Sequence, residues 1–156
     1  MMNPQANDVM ATVQSTRFGA VGIDRASVIE FPDGLIGLGG HRYVLLRTQA
    51  DSPFLWLQSL DDPALALPVT NPHGFFGDFA LQLDEDLAEQ LAIDESTTVD
   101  VYVTVRTGAT LADFAANLRA PIIVRDGRGH QVLNEAPGCD LRAPLFPAGT
   151  AAPSAA

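Results

Sequence analysis

The chain has 156 residues, 47% of them hydrophobic and 18% charged, which suffices for one folded domain and is too apolar for a disordered chain. Nineteen acidic residues face nine basic ones, all arginine, giving a formal charge of −10 that disfavours contact with phosphate backbones and suits a basic protein partner. No apolar run approaches the roughly 18 residues of a membrane span, and the N-terminus lacks the basic region and apolar core of a secretory signal, so a cytosolic location is expected.

Residues 1–15 are polar and unpatterned and read as a flexible N-terminal segment; the folded unit is expected over residues 16–146. In "FPDGLIGLGGHRYVLL", Gly34, Gly37, Gly39 and Gly40 cluster but fit neither G-x-G-x-x-G nor G-x-x-x-x-G-K-[ST]. A strand follows them where a phosphate loop needs a helix N-terminus, so they read as a tight or bulged connection. "RYVLLR" and "PFLWLQSL" are continuously apolar, as strands covered on both faces are. "DDPA" then fits a tight turn, with Pro63 presetting φ and Asp61 or Asp62 bonding nearby amides. "ALALPVT" alternates through Leu65, Leu67 and Val69, while Pro68 on its other face predicts an edge strand or a bulge.

"NPHGFFGDFALQL" places Phe75 and Phe76 between two glycines. Adjacent aromatics conflict with a period of two, so one ring is expected to be exposed as an interface anchor beside Asp78; the competing reading has both rings plugging one end of the fold. "LDEDLAEQLAI", residues 83–93, is the one helical segment, with Asp84 as N-cap and Leu87 and Leu91 on one face. In "TTVDVYVTVR" valines 99, 101, 103 and 105 fall on one side of a half-buried strand. "NLRAPIIVR" alternates through Leu118, Ala120, Ile122 and Val124, again with a proline on the other face. Asp126-Gly127 in "RDGRGHQVL" predicts a hairpin. The low-complexity end, residues 147–156, reads as a disordered tail. Short strands, tight turns and one short helix point to an all-β fold, a barrel or a sandwich; closure into a small antiparallel β-barrel-like domain would remove exposed edges.

Chemistry is sparse. His41, His73 and His130 lie far apart without metal-ligand spacing, and His130, beside a hairpin turn, is expected to face solvent. Ser59 lacks a nucleophile elbow, and Ser52 sits before a proline in a turn-like context. Cys139 has no C-x-x-C partner and reads as a structural thiol. Asp61 and Asp62 would point to opposite faces of a strand or into solvent in a turn, and neither arrangement makes a catalytic dyad. No catalytic residue, cofactor or metal site is expected.

Taken in order, "FPDGLIGL", "SPFLWLQSLDDPALAL", "NPHGFFGDF", "LDEDLAEQLAI", "NLRAPIIV" and "LRAPLF" closely resemble the FliW family of flagellar assembly factors; "LQSLDDP" at 57–63 and "NLRAPIIV" at 117–124 are the most specific. The resemblance implies a β-barrel-like fold without catalytic activity and two cytosolic partners, flagellin and the RNA-binding regulator CsrA. It implies partner exchange: flagellin occupies the protein, and once flagellin is exported the freed protein binds CsrA and relieves repression of flagellin translation. The expected protein is a monomer that contacts neither nucleic acid nor membrane. Phe75, Phe76, Asp78, Asp61 and Asp62 are its candidate partner contacts. Two rival readings are a barrel-shaped interaction module with other partners, and a small ligand-binding or hydrolytic barrel built on Asp61, Asp62 or a histidine.

Overall fold

The computed structural model describes residues 10–36, 38, 40–94 and 96–146. β1 (Met10–Ser15) and β2 (Gly19–Asp24) form an antiparallel hairpin of their own. β3 (Ile29–Glu30), β4 (Arg42–Leu46), β5 (Phe54–Ser59) and β6 (Ala66–Thr70) follow as a meander. A short helix, α1 (Glu85–Gln90), precedes β7 (Asp100–Arg106). The chain then adds β8 (Ala115–Ala116), β9 (Ile122–Arg125), β10 (Arg128–Gln131) and β11 (Ala143–Pro144).

β7 closes a ring by pairing with β6 on one side and β9 on the other, so seven strands run β7-β6-β5-β4-β3-β10-β9 and back to β7. The all-β barrel is therefore present, with one change to its expected antiparallel pattern. β3 and β10 pair in parallel through Glu30 and Arg128. An odd-membered ring cannot alternate direction at every step, so closing seven strands requires a parallel neighbour. β8 and β11 extend the sheet outward from β7.

Cross-strand partners share a face. Leu45, Leu57 and Leu67 stand in register across three strands, and Leu55, Val69 and Thr104 across the next three. With Phe31, Tyr43, Tyr102 and Ile122 they fill the interior. Gly129 belongs to this face because a Cβ there would collide with the Phe31 ring. Val101, Val103 and Val105 are buried as their period predicts, yet they pack outside the barrel; Tyr102 and Thr104 between them point inward.

Three outer layers cover the barrel wall. The β1–β2 hairpin lays Val13 and Ile23 on Val44. α1 and its flanks bring Leu81, Leu83, Leu87 and Leu91 over Val101, Ile123 and Val132. Phe54, Phe75, Phe76, Phe79 and Phe114 gather with Phe146 over Val103 and Val105.

The polar tail expected over residues 1–15 is corrected by β1. Ala11, Val13 and Ser15 alternate inward between polar Thr12 and Gln14, a signal too short to stand out until β2 pairs with it. Residues 1–9 and the tail at 147–156 lie outside the described residues. Pro68 sits in an interior strand, not at an edge. Its strand's register with β7 ends at Val69, so the missing N–H falls where β6 and β7 have parted. The helix is shorter than residues 83–93, and Asp84 holds the N-cap position without a side-chain cap bond. β9 starts only at Ile122: the Asn117 side chain accepts from the amides of Arg119 and Ala120 (3.1 Å each), turning the preceding residues away from a strand. The Asp126-Gly127 hairpin is present, both residues at positive φ (52° and 77°).

Candidate functional site

The Asp-Asp-Pro turn links β5 to β6 and is fixed from within. The Ser59 hydroxyl accepts the amides of Asp61 (3.0 Å) and Asp62 (2.9 Å). The Asp62 carboxylate accepts from the Ala64 amide at 3.0 Å, and its carbonyl accepts from Leu65. Asp61 reaches the opposite way, to the start of β4. It accepts from the His41 amide (2.8 Å), the Arg42 amide (3.1 Å) and Arg42 Nη2 (3.0 Å). Those donors, the His41 amide foremost, hold its carboxyl below the usual carboxylate range. Gly40 stands beside this carboxylate and, at φ 89°, takes a backbone conformation that side chains rarely adopt as the chain enters β4.

Beneath the turn lies Gln58, fully buried on the barrel's outer face. Its Oε1 accepts from the Ser15 hydroxyl at 2.8 Å. Its Nε2 donates to the carbonyls of Ser59 (3.0 Å) and Leu65 (3.1 Å), with Pro63 at 3.3 Å. The stretch "LQSLDDP" thus joins hairpin, barrel and glycine loop. Asp61 and Asp62 serve separate backbone groups and do not converge, although both remain exposed.

Phe75 and Phe76 follow a 3-10 turn, Pro72–Gly74, capped by the Asn71 side chain on the His73 amide. The expected split into one buried and one exposed ring does not occur; both are half-buried. A bend, with the Phe76 amide donating to the Pro72 carbonyl, replaces the strand geometry that would have separated them. Phe75 stacks on Phe54 and meets Phe146 edge-on, each at 5.7 Å between ring centres. Phe76 instead lines a cleft of about 260 Å³ with exposed Asp78 and with Cys139.

The histidines stay apart. His41 Nδ1 lies 2.9 Å from the Phe31 carbonyl, and His73 packs on Phe79. His130 is half-buried, not solvent-facing, because its strand lines a cleft of about 770 Å³ with Leu87, Gln90 and Leu91. Among the described residues no group of three His, Cys, Asp or Glu side chains is placed to hold a metal. Cys139 is half-buried; burial first, then Asp140, pushes its thiol up, away from thiolate chemistry. No helix among the described residues is long and apolar enough to cross a membrane.

Exposed Ile36 lies in the connection between β3 and β4, and Leu133 and Leu141 both lie between β10 and β11, so no local pattern in the sequence joined the three. The fold gathers them along one groove.

A seven-stranded barrel with an outer hairpin and a turn locked by a buried glutamine defines a small closed-barrel protein whose conspicuous carboxylates serve its architecture. The model of the family described as FliW protein matches residues 12–145. The flagellar assembly factor FliW of Alkaliphilus metalliredigens is 32% identical over 125 residues, 78% of this chain and 77% of that one. That of Geobacter sulfurreducens is 31% identical over 136 residues, 86% of each chain. A crystal structure of the flagellar assembly factor FliW superposes with a TM-score of 0.76 at 30% identity, covering 88% of this chain and 98% of the other. The chain belongs to the FliW family, a family of flagellar assembly factors.

Proposed function

We propose that this protein is a non-catalytic flagellar assembly factor of the cytoplasm that binds flagellin and, when released, binds CsrA and relieves its repression of flagellin translation. The observation that carries this reading is membership of the FliW family along residues 12–145, nearly the whole described fold. The charge of −10 supports the CsrA half: it would steer association with a basic RNA-binding protein while opposing direct contact with RNA. Phe76 and Asp78, at the mouth of the small cleft, are the contacts proposed first, with Phe75 as their support and exposed Asp61 and Asp62 as a second patch.

Calorimetric titration of the purified protein with cognate flagellin and cognate CsrA, separately and together, tests the reading. Binding of each alone, with flagellin reducing the capture of CsrA, is the expected result. Failure to bind either overturns it. A salt-sensitive gel shift of the flagellin leader RNA by this protein alone would overturn the RNA-free part.

A further inference from the structure

Among the described residues, four of the five exposed large hydrophobic side chains lie along a single groove: Ile36 (61% exposed), Leu133 (61%), Leu141 (60%) and Leu38. Its volume is about 700 Å³, and it opens where β6 and β7 part beyond Val69, with Leu67 on its floor. Scattered apolar residues on a surface need no account, but a contiguous set lining one concavity marks an interaction site.

The charge at this groove is reversed from that of the whole chain. None of the described residues lining it is Asp or Glu, and two exposed guanidiniums, Arg106 and Arg142, stand at its rim. Neither is in an ion pair among the described residues. In a protein of charge −10 that leaves an apolar trough edged with positive charge.

The trough is built in advance of any occupant. Gln131 accepts from the Ile36 amide at 2.8 Å and donates to the Ala120 carbonyl at 3.0 Å, tying the Ile36 loop to the barrel wall. A bridge between Leu35 and Leu38 closes that loop's tip. A strand could not readily be added here: β7 is already paired with β8 at Val105 and Arg106, and Pro68 removes a donor from β6. Recognition would therefore run through side chains.

The geometry points to a docking groove for an amphipathic helix of a protein partner, its apolar stripe on Leu67, Leu133 and Leu141 and its flanking carboxylates on Arg106 and Arg142. This goes beyond the two-partner reading, since it states the chemistry of the segment held and stands whichever protein supplies it.

Three synthetic helix-forming peptides, each about three turns long with one leucine stripe, differ only in flanks of Glu, Lys or Gln. Each is titrated into the isotope-labelled full chain and followed by NMR. The Glu-flanked peptide should shift the amides of Ile36, Arg106, Leu133 and Leu141 saturably and bind about tenfold tighter than the Lys-flanked one, as two rim charge pairs allow. The R106E/R142E double variant should reverse that order, and R106Q/R142Q should abolish it. If a variant fails to fold, the ranking of the three peptides on the unmodified chain decides. Equal affinity for all three, shifts centred elsewhere, or no saturable binding up to millimolar peptide would overturn the assignment. So would sedimentation showing that a second copy of the chain fills the groove. Neither flagellin nor CsrA enters the test, so it can fail while the proposed function stands.

Discussion

Ser15 and Gln58, 43 residues apart in the chain, share a buried 2.8 Å hydrogen bond that fastens the outer hairpin to the barrel wall. The same glutamine carries the carbonyls of the turn that follows it, so one side chain serves three segments. Replacing it with leucine keeps the volume but leaves the Ser15 hydroxyl and the Leu65 carbonyl without that partner. Gln58→Leu should lower stability by about 1–3 kcal/mol in chemical denaturation. In a Ser15→Ala background the same change should cost less, the difference being the coupling between the two residues. Equal costs in both backgrounds would mean that the bond contributes nothing.

Asp61 makes the fold acid-sensitive in a defined direction. Its carboxyl is held below the usual range by the His41 amide and then by Arg42, so its contribution is complete above the unfolded-state carboxylate pKa and is lost as pH falls through the lower folded value. Asp61→Asn removes that dependence. Melting curves from neutral pH to below pH ~4 should converge for the two proteins as acid is added. Curves that stay parallel would detach Asp61 from the acid limb.

Phe75 and Phe76 should separate in their effects despite similar burial. Phe75 touches Phe54 and Phe146, and truncation to Ala should cost about 2–4 kcal/mol of stability. Phe76 lines the cleft with Asp78, and Phe76→Ala should weaken binding of flagellin or CsrA by more than about 1 kcal/mol while lowering the melting temperature less than Phe75→Ala does. If both variants unfold alike, or both bind both partners normally, the contact surface lies elsewhere.

Gly129 is required by its neighbour. A methyl group there would overlap the Phe31 ring, and the Ile29 side chain stands 3.0 Å away. Gly129→Ala should destabilise by about 1–3 kcal/mol through overpacking. Phe31→Leu in the same chain should recover part of that loss; no recovery would place the strain in the backbone of β10.

Asp126-Gly127 was legible because positive φ at both positions is a local demand that few residues meet. The strand at Asp100–Arg106 was legible from its valines, since a period of two survives in any β context. The turn role of Asp61 and Asp62 could be read from the following proline, but not the His41 and Arg42 amides that Asp61 accepts from 20 and 19 residues away.

By itself the sequence determined what adjacent residues settle among themselves: strands, tight turns, the acidic balance and the motifs "LQSLDDP" and "NLRAPIIV" that carry the family. Tertiary structure alone decided which face of each strand lies inside. It buried the valines of β7 against outer layers and turned Tyr102 inward, because a period of two shows that a strand has two faces and not which one closes around the core. It also recruited β1 from a stretch that looked like tail, as Val13 has no buried surface to meet until Ile23 and Val44 arrive. The groove formed the same way, from Ile36, Leu133 and Leu141, whose proximity depends on ring closure.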